Sequence, residues 1–92
     1  MVHTMKNNDL ILPTIHSGGT SKDELLNQLH IAASAVAKAI ECVSDATPHG
    51  RDYYTQPDNK YVLARDQHAA RIERLRSTWQ ELHEMYEALE DK

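Results

Sequence analysis

Residues 46–57 read ATPHGRDYYTQP and lie between two long stretches with helical patterning. Pro48 and Gly50 disfavour a continuing helix, so the chain is predicted to turn here. A linker this short folds its two helices back on each other as an antiparallel hairpin. The turn itself needs neither the arginine nor the tyrosine pair that follow it. These residues are therefore candidates for function.

The first helix is predicted at about residues 21–46. Ser21 and Glu24 fit the S-x-x-E capping box, in which each side chain bonds the backbone amide of the other residue. Thr20 with Asp23 is a competing frame for the same cap. One apolar face follows at helical spacing and consists of Leu25, Leu29, Ala33, Val36, Ile40 and Val43.

The second helix is predicted at about residues 59–90, after a linker at 47–58. It begins near Asp58 or Asn59, which are both favourable N-cap residues. Its apolar stripe has the spacing of heptad a and d positions and consists of Ile72, Leu75, Trp79, Leu82, Tyr86 and Leu89. The same register continues backwards through His68, Arg65 and Tyr61. The stripe therefore becomes polar toward the linker.

An extended arm is predicted before the first helix, at residues 10–20. Its sequence LILPTIH at 10–16 is apolar and β-prone, and Pro13 blocks a helix. We expect this arm to lie on a hydrophobic surface. Residues 1–9 are polar and unpatterned, which predicts a flexible N-terminus. Residues 10–92 are then a single helical-hairpin domain.

Two helices alone make a thin core. A chain of 92 residues buries only roughly 60–65% of its unfolded surface. The first helix also has a second, weaker apolar face, which carries Ile31, Ala35 and Cys42. One partner helix within the chain does not cover both faces. The sequence therefore predicts an all-α protein that assembles into a homo-oligomeric helical bundle.

The charges of the second helix are segregated. Residues 60–76 hold five basic and two acidic side chains, whereas residues 81–91 hold five acidic ones. This order opposes the helix dipole, which favours acidic residues first. An antiparallel neighbour would place the basic half against the acidic half. The alternative is that both halves are solvated faces, because exposed ion pairs contribute only ~0–1 kcal/mol each.

Bulk properties exclude several classes of function. A net charge of −4 argues against a general DNA- or RNA-binding protein. The single cysteine, Cys42, forms no internal disulfide, and no Cys/His cluster has zinc-ligand spacing, so we expect no metal and no cofactor. No apolar run approaches ~18 residues, and the first residues lack a signal peptide's pattern. We expect a cytoplasmic protein without a membrane span.

Catalytic motifs are missing as well. The sequence has no nucleophile elbow with an accompanying Ser-His-Asp order and no HExxH motif. We therefore predict that the protein is not an enzyme and has no catalytic residues.

Candidate ligand-binding residues are concentrated around the linker. They are His49, Arg51, Tyr53, Tyr54, Arg65 and His68. Arginine offers a two-pronged donor for phosphate or carboxylate, and tyrosine offers a flat face for a base. The alternative is structural: Arg51 pairs with Asp52 or caps the first helix, and the tyrosines cover the open end of the hairpin.

A second candidate region leads into the first helix and contributes His16, Thr20 and Ser21. Free amides at a helix N-terminus favour an anion. The segment lacks the Gly-Lys step of a P-loop, and a simple turn is the alternative interpretation. In an antiparallel dimer this region of one subunit could face Arg51, Tyr53 and Tyr54 of its neighbour. Such a site would exist only in the oligomer.

The segments LPTIHSGGTS and PHGRDYY together resemble a group of small uncharacterised proteins from bacteriophages and prophages. That group has an LPTIH-x-N-G-T-S opening, a helix, a P-x-x-R-D-Y-Y linker and a second helix. The matching positions here are Leu12 to His16, Gly19 to Ser21, Pro48, and Arg51 to Tyr54. Gly18 stands where asparagine is expected. The resemblance covers residues 12 to about 89.

The resemblance implies a viral origin and action in the cytoplasm of a bacterial host. Phage proteins of this size often counter host defences, and some helical oligomers sequester nucleotide signals. By analogy of context, we hypothesise a phage-encoded binding protein for an anionic nucleotide immune signal, with the ligand held between subunits. The alternative is a protein–protein inhibitor or adaptor that binds a host protein through a helix face, such as the acidic stretch at 81–91.

Overall fold

The computed structural model describes residues 10–92, and within this range it is helical and contains no strand. Helix α1 spans Lys22–Asp45 and helix α2 spans Lys60–Glu90. A single 3-10 turn, Gly50–Asp52, lies between them. The two helices pack against each other, which confirms the all-α prediction. The prediction of a flexible terminus at 1–9 lies outside the described residues.

Helix α1 begins with one half of the predicted capping box, the bond to the Ser21 side chain. The Ser21 hydroxyl oxygen accepts a hydrogen bond from the Glu24 amide at 3.2 Å, and Ser21 itself has extended backbone angles. Asp23 and Glu24 place negative charge in the first turn, where the helix dipole favours it. The helix ends just before Pro48, and the Thr47 hydroxyl donates to the Ser44 carbonyl at 2.6 Å.

The linker is a series of tight turns. Tyr53 N–H donates to the Gly50 carbonyl at 3.0 Å, and Gln56 N–H donates to the Tyr53 carbonyl at 2.9 Å. Asp58 has φ of 63°, a left-handed conformation that aspartate tolerates better than most residues. Asn59 is the N-cap of α2, but its side chain makes no capping bond.

The helices are antiparallel because each one ends beside the other's beginning. The Lys22 ammonium at the start of α1 donates to the carbonyls of Glu90 and Lys92 at the end of α2, both at 3.1 Å. Near the opposite end, His68 Nε2 lies 2.6 Å from the carbonyl oxygen of Val43 in the last turn of α1. These contacts fix which parts of the two helices are neighbours.

The core between the helices is thin. Among the described residues only Leu89 (0% exposed) and His68 (7% exposed) are buried. The other members of both predicted apolar stripes are half-buried. At 1.5 Å per residue, α1 is about 36 Å long and α2 about 46 Å. One hairpin is therefore a single layer of two long helices without a closed interior.

Candidate functional site

The linker end of the hairpin holds an ordered group of aromatic and cationic side chains. We call it the linker-end cluster, and it consists of Arg51, Tyr53, Tyr54, Tyr61 and Arg65. The rings of Tyr53 and Tyr61 lie 6.2 Å apart and are tilted by 49°. The Arg65 guanidinium carbon lies 5.9 Å from the centre of the Tyr61 ring, within range of a cation–π interaction. Tyr61 therefore contacts both the Tyr53 ring and the Arg65 guanidinium.

The two adjacent tyrosines of the linker differ in their surroundings. Tyr53 is half-buried and rests on Tyr61. Tyr54 is 82% exposed. Covering the open end of the hairpin therefore accounts for Tyr53 but not for Tyr54, whose ring is left in solvent.

The cations of the linker-end cluster are accessible. Arg51 and the neighbouring His49 are both exposed, and within the described range Arg51 forms no ion pair with Asp52. Arg65 lies 3.5 Å from the Asp66 carboxylate, and both side chains are more than half exposed. A pair this open and long contributes little, so an anionic ligand could displace it at low cost.

His68 is the one buried member of the predicted linker-end residues. Its Nε2 donates to the Val43 carbonyl, and its Nδ1 accepts from the Arg71 guanidinium at 3.4 Å when the ring is in that tautomer. Both ring nitrogens therefore have partners within the chain. We assign His68 to the packing of the two helices and leave it out of the linker-end cluster.

The second predicted region forms a compact turn at the other end of the hairpin. His16 Nδ1 accepts from the Gly18 amide at 3.2 Å, and the Gly19 amide donates to the His16 carbonyl at 3.1 Å. A Cβ at Gly19 would lie only 2.7 Å from His16 Nε2, so the imidazole ring lies close over the glycine. Thr20 is exposed, whereas the Ser21 hydroxyl already caps α1.

The two predicted regions are far apart in one chain. His16, Thr20 and Ser21 precede α1, and the linker-end cluster follows it, so the length of α1 separates them by about 36 Å. A ligand that touches both regions needs a second chain. A site composed of both regions therefore requires an oligomer.

A groove along one flank of the hairpin was missed by sequence reasoning. It contains a cavity of about 350 Å³ and a second of about 190 Å³. The first is lined by Ala37, Ile40, Arg76, Trp79 and Gln80. The second is lined by Leu29, His30, Ala33, His83 and Tyr86. We call the two together the flank groove.

Stacked rings border the flank groove. The rings of Trp79 and His83 are nearly parallel, with an angle of 8° and centres 4.9 Å apart. His83 Nε2 lies 3.2 Å from the Glu87 carboxylate, one further turn along α2. This row of side chains consists of Trp79, His83 and Glu87, which follow one another at i, i+4 spacing. The spacing could have indicated the row from the sequence, because such residues are neighbours on a helix surface.

Comparison of the chain with protein-family models, with curated proteins and with solved structures gives no match. Among residues 10–92, no group of three or more histidine, cysteine or acidic side chains is arranged to hold a metal ion. Neither α1 nor α2 combines the length and the apolar character that a membrane-spanning helix requires.

Proposed function

We propose that the protein is a phage-encoded, homo-oligomeric binding protein that captures a small anionic ligand of the nucleotide type, and thereby withholds a host defence signal. The observation that carries this proposal is the side chain of Tyr54. It is a large aromatic ring, 82% exposed, three residues after Arg51 in a linker whose turns do not need it. An exposed aromatic ring close in sequence to the exposed guanidinium of Arg51 suits a base linked to phosphate.

Each side chain has a distinct role in this proposal. Arg51 and Arg65 hold phosphate oxygens, and Tyr54 stacks on the base. Tyr61, which packs on Tyr53, orients Arg65 through its ring. His49 extends the same exposed surface.

The arm of a neighbouring subunit closes the proposed site. His16 and Thr20 are exposed and supply an imidazole and a hydroxyl, while Ser21 orders the first turn of the helix behind them. An antiparallel neighbour brings this end of its hairpin to the linker end of the first. The ligand is held without turnover, because the proposed site contains donors and aromatic faces but no paired nucleophile and base.

The alternative is a protein–protein adaptor acting through the acidic stretch at 81–91. Glu81 and Glu84 are half-buried, and Glu84 accepts from Gln80 at 3.0 Å. Glu87, Glu90 and Asp91 are exposed, and His83 Nε2 lies 3.2 Å from the Glu87 carboxylate. A pull-down from host lysate addresses this alternative: a stoichiometric protein partner that is lost in the Glu84→Lys, Glu87→Lys double variant would favour it.

Isothermal titration against a nucleotide panel tests the proposal. The panel covers linear mononucleotides, cyclic mono- and dinucleotides and ADP-ribose-type compounds. We expect one class to bind, and we expect Arg51→Ala and Tyr54→Ala each to weaken it by roughly 5- to 150-fold, since each removes about 1–3 kcal/mol of contact. Arg74→Ala is the matched control, because Arg74 is an exposed arginine of α2 outside the linker-end cluster. No binding by the oligomer, or unchanged binding in Arg51→Ala, would contradict the proposal.

A further inference from the structure

The two cavities of the flank groove follow one another along both helices. On α1 its lining residues recur at steps of 3, 4 and 3, namely His30, Ala33, Ala37 and Ile40. On α2 they recur at steps of 4 and 3, namely Arg76, Gln80 and His83. Residues with this spacing share one face of a helix. The surface that completes the groove is therefore elongated and runs along the hairpin, as another helix would.

We propose that the flank groove is the contact surface for a second copy of this chain, packed antiparallel to the first. The groove has small residues on the α1 side, of which Ala33 and Ala37 allow close approach of a helix. On the α2 side it offers the aromatic surface of Trp79 and Tyr86. Small residues facing large aromatic ones are suited to the interdigitation of helix side chains.

Charge complementarity identifies the partner as a second copy in antiparallel orientation. The first half of α2, residues 60–76, has an excess of basic side chains, and residues 81–91 have only acidic charge. Two parallel copies would place like charges together along the whole length of α2. Two antiparallel copies place the basic half of each beside the acidic half of the other. Arg76 in the groove and Glu87 at its end belong to these opposite halves.

The thin core gives a second argument for the same partner. Among the described residues, Leu89 is the only apolar side chain that is buried, so one hairpin leaves most of both stripes half-exposed. A fold of this size needs further apolar contact to be stable. A copy of the same chain is present wherever the chain is made, whereas a particular host protein is present only in that host.

The proposed pairing of two chains through the flank groove does not depend on a ligand. The proposed function needs a second subunit, but a chain that pairs through the flank groove and binds no nucleotide would still satisfy this inference. The experiment is therefore carried out without any nucleotide.

Two alanines of α1 provide a matched pair of variants. Ala37 lines the flank groove, and Ala35 lies two residues earlier on the opposite flank, beside Ile31. Both are exposed in the hairpin, and glutamate is a good helix former, so neither Ala37→Glu nor Ala35→Glu disturbs a single chain. Sedimentation velocity over a range of concentrations then measures self-association of each variant.

We expect wild type to self-associate at micromolar concentration. Ala37→Glu should weaken the association by roughly 100-fold or more, because it places an unpaired charge in the contact. Ala35→Glu should remain within about threefold of wild type, as exposed substitutions have little effect. Emission of the single tryptophan, Trp79, gives a local readout: on dilution it should shift to longer wavelength at the concentration where wild type dissociates.

Three results would overturn the proposal. The first is a wild-type chain that stays monomeric at about 100 μM, a concentration at which contacts of even weak dimers form. The second is Ala37→Glu associating like wild type. The third is Ala35→Glu weakening the association as much as Ala37→Glu, which would place the contact on the other flank.

Discussion

Single residues of the linker-end cluster separate into structural and exposed members. Tyr53 packs on Tyr61, whereas the adjacent Tyr54 is 82% exposed. His68 shares a face with Arg65 in the sequence but is bonded to the Val43 carbonyl. The residues that remain for a ligand are therefore fewer than the sequence indicates, and they are led by Arg51 and Tyr54.

Replacing His68 should lower stability rather than ligand binding. His68→Ala removes a buried donor from the Val43 carbonyl and leaves space between the helices. We expect a loss of about 2–3 kcal/mol in the free energy of unfolding, measured by chemical denaturation at fixed chain concentration. His68→Gln keeps an N–H donor at a similar reach and should recover part of that loss. Equal stability of His68→Ala and wild type would show that the bond contributes nothing.

At the scale of the helices, each one supplies the cation or donor that caps the other. Neither α1 nor α2 has a basic residue in its own last turn. Lys22 of α1 donates to the final carbonyls of α2, and His68 of α2 donates to a carbonyl in the last turn of α1. The Lys22 bonds give the Glu90 carbonyl a donor and place a positive charge at the end of α2, whereas the Val43 carbonyl accepts from His68 in addition to the Ala46 amide. They also favour one antiparallel register over others.

Removing the Lys22 cap should loosen the end of α2. In Lys22→Met the carbonyls of Glu90 and Lys92 lose their donor, so we expect faster amide hydrogen exchange in the last turn of α2 and a loss of about 0.5–1 kcal/mol of stability. Lys38→Met is the matched control, because Lys38 is a lysine of the same helix that pairs with Glu41 at the surface, away from the end of α2. If both variants exchange alike, Lys22 does not cap α2.

The helix cap and the linker turn could be predicted from the sequence more readily than the contacts between the two helices. Ser21 with Glu24 and the linker's Pro48 and Gly50 act through neighbours in the sequence, so the cap and the turn could be inferred directly. The bonds made by Lys22 and His68 join residues 68, 70 and 25 positions apart. Such contacts depend on how far the linker staggers the two helices, which no local pattern specifies. The flank groove was missed for the same reason.

At the scale of the whole molecule, a single hairpin is incomplete in two respects. Its stripes are half-exposed, and its two candidate ligand regions lie at opposite ends of α1. One antiparallel neighbour in the flank groove would complete the hairpin in both respects. It would cover apolar surface along the flank, and it would bring its own arm toward the linker-end cluster. We therefore propose that the ligand site is shared between subunits.

A complementation experiment tests this claim most directly. One variant, Arg51→Ala with Tyr54→Ala, lacks the linker half of the site, and the other, His16→Ala with Thr20→Ala, lacks the arm half. Each alone should lose binding of the nucleotide that wild type takes from the panel. When the two are unfolded together in equal amounts and refolded, about a quarter of the pairings between chains join an intact linker end to an intact arm. We predict that titration of the mixture recovers about a quarter of the wild-type sites at wild-type affinity. No recovery in the mixture, with the chains shown to have exchanged, would contradict a shared site.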